Sequence, residues 1–88
     1  MVRYAFEFKA SGDALDLCEQ TVDRMVELFG IPVDEALGRV NRAWGGRDLD
    51  NDSLICHENE YYWANSIYYG HGSFWWLKPP GLKPMPYP

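Results

Sequence analysis

The sequence has few of the features that mark the best-known classes of functional site. Its 88 residues include only two cysteines, Cys18 and Cys56, and neither belongs to a CxxC pair. This spacing excludes a disulfide framework and the usual zinc boxes, since both need paired or clustered cysteines. We expect two buried thiols that act as small hydrophobic groups.

Long apolar runs are also missing. The longest is only a few residues, far below the roughly 20 that a membrane-spanning helix needs. The first ten residues, MVRYAFEFKA, lack the basic region and apolar block of a signal peptide. The sequence therefore predicts a soluble, cytoplasmic protein with no membrane partner, and its length predicts one domain.

Basic residues are scarce. The formal net charge is −5, and all thirteen acids lie in residues 1–60, where they face six bases. Residues 61–88 carry only Lys78 and Lys83. Because binding to a phosphate backbone needs clustered Lys and Arg, we expect no nucleic-acid partner. A basic protein partner is compatible with this charge.

Aromatic residues, in contrast, are abundant and concentrated. The stretch 56–77, CHENEYYWANSIYYGHGSFWWL, holds eight of the fourteen aromatic residues and both histidines. Each aromatic side chain buries roughly 150–250 Å² when it is enclosed. A chain of this size must turn most of them inward or present some of them to a partner.

Periodicity predicts three strands and three helices. Apolar and polar residues alternate over residues 2–9, which is typical of a strand with one buried face. Apolar residues three or four apart predict helices that end at Gly30, at Gly45-Gly46 and at Gly70. Gly38, inside the second helix, is expected to admit another backbone closely. Residues 54–57 and 74–77 are expected to form the other two strands.

The predicted order, strand-helix-helix-strand-helix-strand, indicates an α+β domain over residues 1–78. A small antiparallel sheet would carry about three helices on one face. Five of residues 79–88 are proline, so this tail is expected to be extended and to dock through its interspersed apolar side chains. Trp75 and Trp76 would point to opposite faces of a strand, and the tail is expected to cover one of them.

Two stretches resemble a group of small bacterial proteins, some of which are carried on mobile gene cassettes. They are EALGRVNRAW and HENEYYWANSIYYG, followed by FWW and a Pro-Tyr-Pro end, and they cover about half of the chain. The group has no established activity. The resemblance therefore implies a bacterial, cytoplasmic, single-domain protein and supplies no catalytic residues.

Residues with metal-ligand or acid-base chemistry occur near the aromatic stretch, but their spacing matches no known motif. HENE is not the HExxH of zinc proteases, and adjacent Cys56 and His57 on a strand would point to opposite faces. There is no glycine-rich phosphate loop. We therefore assign no catalytic residue, metal or cofactor.

The sequence predicts a binding protein. In the leading hypothesis the aromatic-rich C-terminal third forms the interface of a homo-oligomer or of a complex with another protein, because Trp and Tyr anchor interfaces. A two-fold homodimer is the default arrangement. The candidate residues for an interface or a ligand site are Tyr61, Tyr62, Trp63, Tyr69, Trp75 and Trp76.

Two alternatives remain open. One is a pocket for a planar or sugar-like small ligand, with Tyr62, Trp63, Tyr69 and Trp76 as its lining. The other is a small enzyme that uses His57, Glu58 or Glu60.

Overall fold

The computed structural model describes residues 4–51, 55–70 and 72–87, and this part of the chain is helical. No β-strand occurs in these ranges, so the predicted α+β domain with an antiparallel sheet is wrong. The predicted helices are present. They are α1 (Gly12–Phe29), α2 (Val33–Trp44) and α3 (Glu60–Tyr69), with short 3-10 turns at Leu49–Asn51, Ile55–His57 and Trp75–Leu77.

Helix α1 is the central element and packs against both α2 and α3. Its apolar stripe includes Cys18, Val22 and Met25, which are fully buried and lie three or four residues apart. The helix ends at Gly30, which has a φ of 65° and donates its N–H to the carbonyl of Val26 at 3.0 Å. Glycine adopts this left-handed conformation with little strain, so the predicted stop is the observed one.

The N-terminal segment keeps the predicted alternation without forming a strand. Tyr4, Phe6 and Phe8 are half-buried, while the residues between them are exposed. The Tyr4 hydroxyl donates a hydrogen bond to Asp23 of α1, and the Phe8 ring lies edge-on to Trp44 with centroids 6.0 Å apart. The segment therefore packs its aromatic side on the helices.

A side chain and a loop take the place of a neighbouring strand along this segment. Asn41 of α2 accepts the N–H of Glu7 at 2.9 Å and donates to the carbonyl of Ala5 at 3.1 Å. Further along, the Lys9 N–H donates to the carbonyl of Arg47 at 3.1 Å. The only ladder contact in the described residues is an isolated bridge between Lys9 and Asp48.

The other two predicted strands are 3-10 turns. Ile55 is buried, and its carbonyl accepts the indole N–H of Trp63 at 2.8 Å. Phe74 and Lys78 bracket the C-terminal turn with φ values of 53° and 48°, which reverse the chain and prevent an extended conformation. Leu54, the first residue of the predicted second strand, lies outside the described residues.

Trp44 closes the core. Only 4% of its surface is exposed, and its ring also contacts Trp63 edge-on with centroids 5.7 Å apart. No helix in the described ranges is both long and apolar enough to cross a membrane.

Replacing Trp44 by Ala should lower the free energy of unfolding by about 3–5 kcal/mol, because it leaves a large cavity in a small core. Chemical denaturation followed by circular dichroism measures this change. Trp76→Ala, compared at a concentration where the chain is monomeric, is the matched control, since that side chain is 53% exposed and its loss from the monomer should cost less than about 1 kcal/mol. Equal effects of the two substitutions would contradict the core position of Trp44.

Candidate functional site

The six aromatic residues named as site candidates divide into two sets. Tyr62, Trp63, Tyr69 and Trp75 are half-buried, whereas Tyr61 and Trp76 are exposed. The structure therefore does not bring all six onto one binding surface.

The half-buried set packs within the chain. The Tyr62 ring lies edge-on to Trp63 at 4.9 Å and also contacts Trp75 at 5.9 Å. Tyr69 lies edge-on to Phe29 of α1 at 5.5 Å. Burial, with a smaller contribution from the neighbouring tyrosines, raises the pKa of the Tyr69 phenol. These contacts assign the set mainly to holding α3 in place.

The exposed apolar residues near the C-terminal turn form what we call the aromatic patch. Besides Tyr61 (49% exposed) and Trp76, the patch contains Phe74 (54%) and Leu77 (68%). Phe74 contacts Trp76 with ring centroids 5.6 Å apart. Sequence reasoning missed Phe74 and Leu77 as site residues, although four consecutive large side chains, FWWL, cannot all be buried by one short turn.

Trp75 fastens the aromatic patch to α3. Its indole N–H donates to the hydroxyl of Ser66 at 3.1 Å. Its ring contacts Tyr61 at 5.9 Å and Trp76 at 5.7 Å. Trp75 is thus the inward tryptophan of the pair and Trp76 the outward one.

The C-terminal segment, residues 79–87, lies across α2 and α3 near the C-terminal turn. The Met85 N–H donates to the carbonyl of Tyr68 at 2.8 Å, and the Met85 carbonyl accepts from Arg39 at 2.8 Å. The Tyr87 ring lies against Gly38, where a Cβ atom would overlap its hydroxyl. The close neighbour of Gly38 is therefore a tyrosine side chain and not a backbone.

A pocket of about 360 Å³ opens between α2, α3 and this segment. Its apolar walls include Trp44, Trp63, Ile67 and Met85. Three arginines, Arg39, Arg42 and Arg47, also line it. We call it the arginine pocket. Of the four residues predicted to line a ligand site, only Trp63 does so.

The residues named for an enzyme are not gathered at one site in the described part of the chain: Glu58 lies beside Asp13 and Asp16 of α1, whereas Glu60 lies beside Arg24. His57 and Glu58 are exposed, and His71 lies outside the described residues, as does the side chain of Cys56. No three His, Cys, Asp or Glu side chains among the described residues are placed to hold a metal ion.

Glu60 forms an ion pair with α1. Its carboxylate accepts from Arg24 at 3.1 Å. A hydrogen bond from its own backbone N–H, followed by the bond from Arg24, lowers the pKa of the Glu60 carboxyl. The arrangement links the start of α3 to α1 and gives no support to a catalytic role.

Comparison of the chain with protein-family models, curated proteins and solved structures finds no match.

Gly38→Ala should have opposite effects on stability with and without Tyr87. Alanine favours a helix interior by about 1 kcal/mol, but its Cβ overlaps the Tyr87 hydroxyl. We therefore expect destabilisation in the natural chain and stabilisation of up to about 1 kcal/mol in a Tyr87→Ala background. Thermal denaturation of the four proteins measures the coupling. The same sign in both backgrounds would contradict the Gly38–Tyr87 contact.

The Glu60–Arg24 ion pair should make the stability of the protein depend on pH in the acidic range. Because the pKa of Glu60 is lowered from its ordinary value of 4.5, its contribution is fully present above that pH and is lost as the pH falls through the lower, folded-state pKa. Glu60→Gln should therefore destabilise the protein at pH 7, and this effect should shrink as the pH falls below 4.5 through the lowered pKa of Glu60. Glu27→Gln, at the more exposed carboxylate beside Arg24, should have a smaller effect at pH 7. A pH-independent Glu60→Gln effect would argue against the ion pair.

Proposed function

We propose that this protein is an interaction module that self-associates through the aromatic patch. The four patch residues are each about half or more exposed. Phe74 contacts Trp76, Tyr61 is joined to Trp76 through the ring of Trp75, and Leu77 follows Trp76 in the chain. Contiguous exposed apolar surface rimmed by polar residues is typical of protein interfaces. Trp and Tyr, which anchor such interfaces, make up half of the patch.

The backbone of the C-terminal turn is the observation that carries the proposal. Phe74 and Lys78 both have positive φ angles, which bulky residues rarely adopt. Such conformations cost on the order of 1–3 kcal/mol each, persist where the surrounding structure holds them, and cluster at functional sites. Phe74 itself and, between the two reversals, Trp76 and Leu77 are exposed, so the strained turn supports a function for this apolar surface.

A second copy of the chain is the occupant that the charges favour. Glu58, three residues before Tyr61, and Lys78, next to Leu77, are exposed and opposite in charge. We propose an antiparallel two-fold pairing in which Lys78 of each copy pairs with Glu58 of the other. A stable interface buries at least about 1,000 Å² in total, or about 500 Å² per copy. The accessible surface of one copy is 5513 Å², so an interface of about 500 Å² per copy would take up roughly a tenth of it.

The proposal places this module in the bacterial cytoplasm. Its cysteine content supports an intracellular location, since small secreted domains depend on several disulfides. Cys18 is fully buried on α1 and contributes to the core.

Trp76→Ala and Leu77→Ala should weaken self-association by about tenfold or more, as truncation of central interface residues does. Sedimentation equilibrium of the natural chain and of each variant up to high micromolar concentration measures the dissociation constant. Val33→Ala is the matched control, because Val33 is an exposed apolar residue on α2 outside the patch. Far-UV circular dichroism should be unchanged in all three variants.

A charge reversal tests the orientation of the pair. Lys78→Glu should weaken the dimer, and adding Glu58→Lys should restore it, whereas Lys83→Glu should have little effect. A natural chain that stays monomeric would overturn self-association and leave a different protein as the partner of the patch. A dimer that is unaffected by Trp76→Ala and Leu77→Ala would place the interface elsewhere.

A further inference from the structure

We infer that the arginine pocket binds a small organic carboxylate with a flat apolar body. The pocket is separate from the aromatic patch in its lining residues, so the inference stands independently of self-association. The inference is supported by three features of the pocket: its positive charge, its apolar lining and its volume.

The charge of the pocket is opposite to that of the chain. Three of the five arginines in the sequence line it, although the formal net charge is −5. None of its lining residues is acidic. The gathering of most of the arginines around one cavity of an acidic protein points to an anionic ligand.

The arginines differ in how their charge is compensated. Arg39 is paired with Glu35 at 2.9 Å and is nearly fully buried, so it belongs to the frame of the pocket. Arg42 is exposed and donates to the carbonyl of Pro86 at 2.8 Å. No acidic side chain among the described residues pairs with Arg42. Arg42 therefore offers a positive charge, with further N–H donors, at the rim.

The chemistry of the ligand is inferred from the charged and the apolar residues that line the pocket. A guanidinium group binds a carboxylate through two parallel hydrogen bonds, which makes arginine selective for flat anions. The indoles of Trp44 and Trp63, together with Ile67 and Met85, give the pocket an apolar surface suited to a ring. A volume of about 360 Å³ accommodates a compact bicyclic molecule.

Four parts of the sequence build this site. Arg39, Arg42 and Ala43 lie on one side of α2, and Arg47 lies in the loop after it. Trp63, Ser66 and Ile67 lie at helical spacing along α3, and Gly70 caps its end. Met85 of the C-terminal segment completes the wall. Since Met85 is fixed through both its N–H and its carbonyl, the pocket is formed before a ligand arrives.

The test uses 2-naphthoate and its neutral analogue 2-naphthamide as probes. The full chain has four tryptophans, so the indole N–H resonances of Trp44 and Trp63 report on the pocket and that of Trp76 on the patch. The Trp75 indole N–H is bonded to Ser66, which lines the pocket, and therefore responds to both. We expect 2-naphthoate to shift the pocket resonances with a dissociation constant on the order of 1 mM, as for other fragment-sized ligands. 2-Naphthamide should bind about tenfold more weakly, because it cannot form the charge-assisted bonds.

Matched variants test whether the positive charge of Arg42 binds the carboxylate. Arg42→Gln should weaken 2-naphthoate binding by about tenfold and leave 2-naphthamide binding nearly unchanged, which separates loss of charge from loss of the pocket. Lys83→Gln removes the same charge from an exposed position outside the pocket and should leave both affinities unchanged. Ala43→Phe fills the pocket without changing charge and should weaken both probes.

Several results would overturn the inference. Equal affinity for the two probes would show that the pocket does not recognise the carboxylate. Equal losses of 2-naphthoate affinity in Arg42→Gln and Lys83→Gln would show that only the net charge of the protein matters. Shifts confined to Trp76, or undiminished binding by Ala43→Phe, would place the probe outside the pocket. No shift of any indole resonance at millimolar 2-naphthoate would also contradict it.

Discussion

The C-terminal half of the structure depends on the contacts made by the buried guanidinium of Arg39. A buried charge is stable only when it is paired and its donors are bonded. Glu35 supplies the counter-charge one helical turn away, and the Met85 carbonyl accepts a second bond at 2.8 Å. The guanidinium carbon also lies 4.8 Å from the centroid of the Tyr68 ring. Removing the C-terminal segment would therefore leave a buried donor unpaired, and this requirement holds the segment against α2 and shapes one wall of the arginine pocket.

The helices could be predicted from the sequence because their signals are local. Stripes of apolar residues three or four apart, ending at glycines such as Gly30, need no information about the rest of the chain. The strands could not be predicted reliably, because period-two alternation reports which side chains face the protein and not what the backbone bonds to. Phe6 and Phe8 face the helices as the alternation requires, yet the amide of Asn41 takes the backbone bonds that a neighbouring strand would otherwise take. Nothing in the local sequence distinguishes those two situations.

The candidate site was predictable in part. The concentration of aromatics in residues 56–77 indicated where exposed rings would lie, and Tyr61 and Trp76 are exposed. Which rings face inward and which face outward depends on the positive φ angles at Phe74 and Lys78. The residue types at those two positions do not predict positive φ angles. The arginine pocket was missed because its parts come from α2, the loop after it, α3 and the C-terminal segment. The spacing of Arg39 and Arg42 placed them near one another on α2, but it gave no sign of the indoles opposite.

Ser66 lies where the two proposed binding surfaces meet. It lines the arginine pocket, and its hydroxyl accepts the indole N–H of Trp75, whose ring supports Tyr61 and Trp76 in the aromatic patch. A ligand that displaced the hydroxyl would loosen Trp75, and a partner that fixed Trp75 would in turn fix one edge of the pocket. Any such coupling must be reciprocal, since the change in dimer affinity caused by the ligand equals the change in ligand affinity caused by dimerisation. The 3.1 Å hydrogen bond is one part of this link, and the Tyr62 ring, which contacts both Trp63 and Trp75, is another. Ser66→Ala should therefore weaken the coupling between the two sites while leaving the arginines and the exposed rings in place.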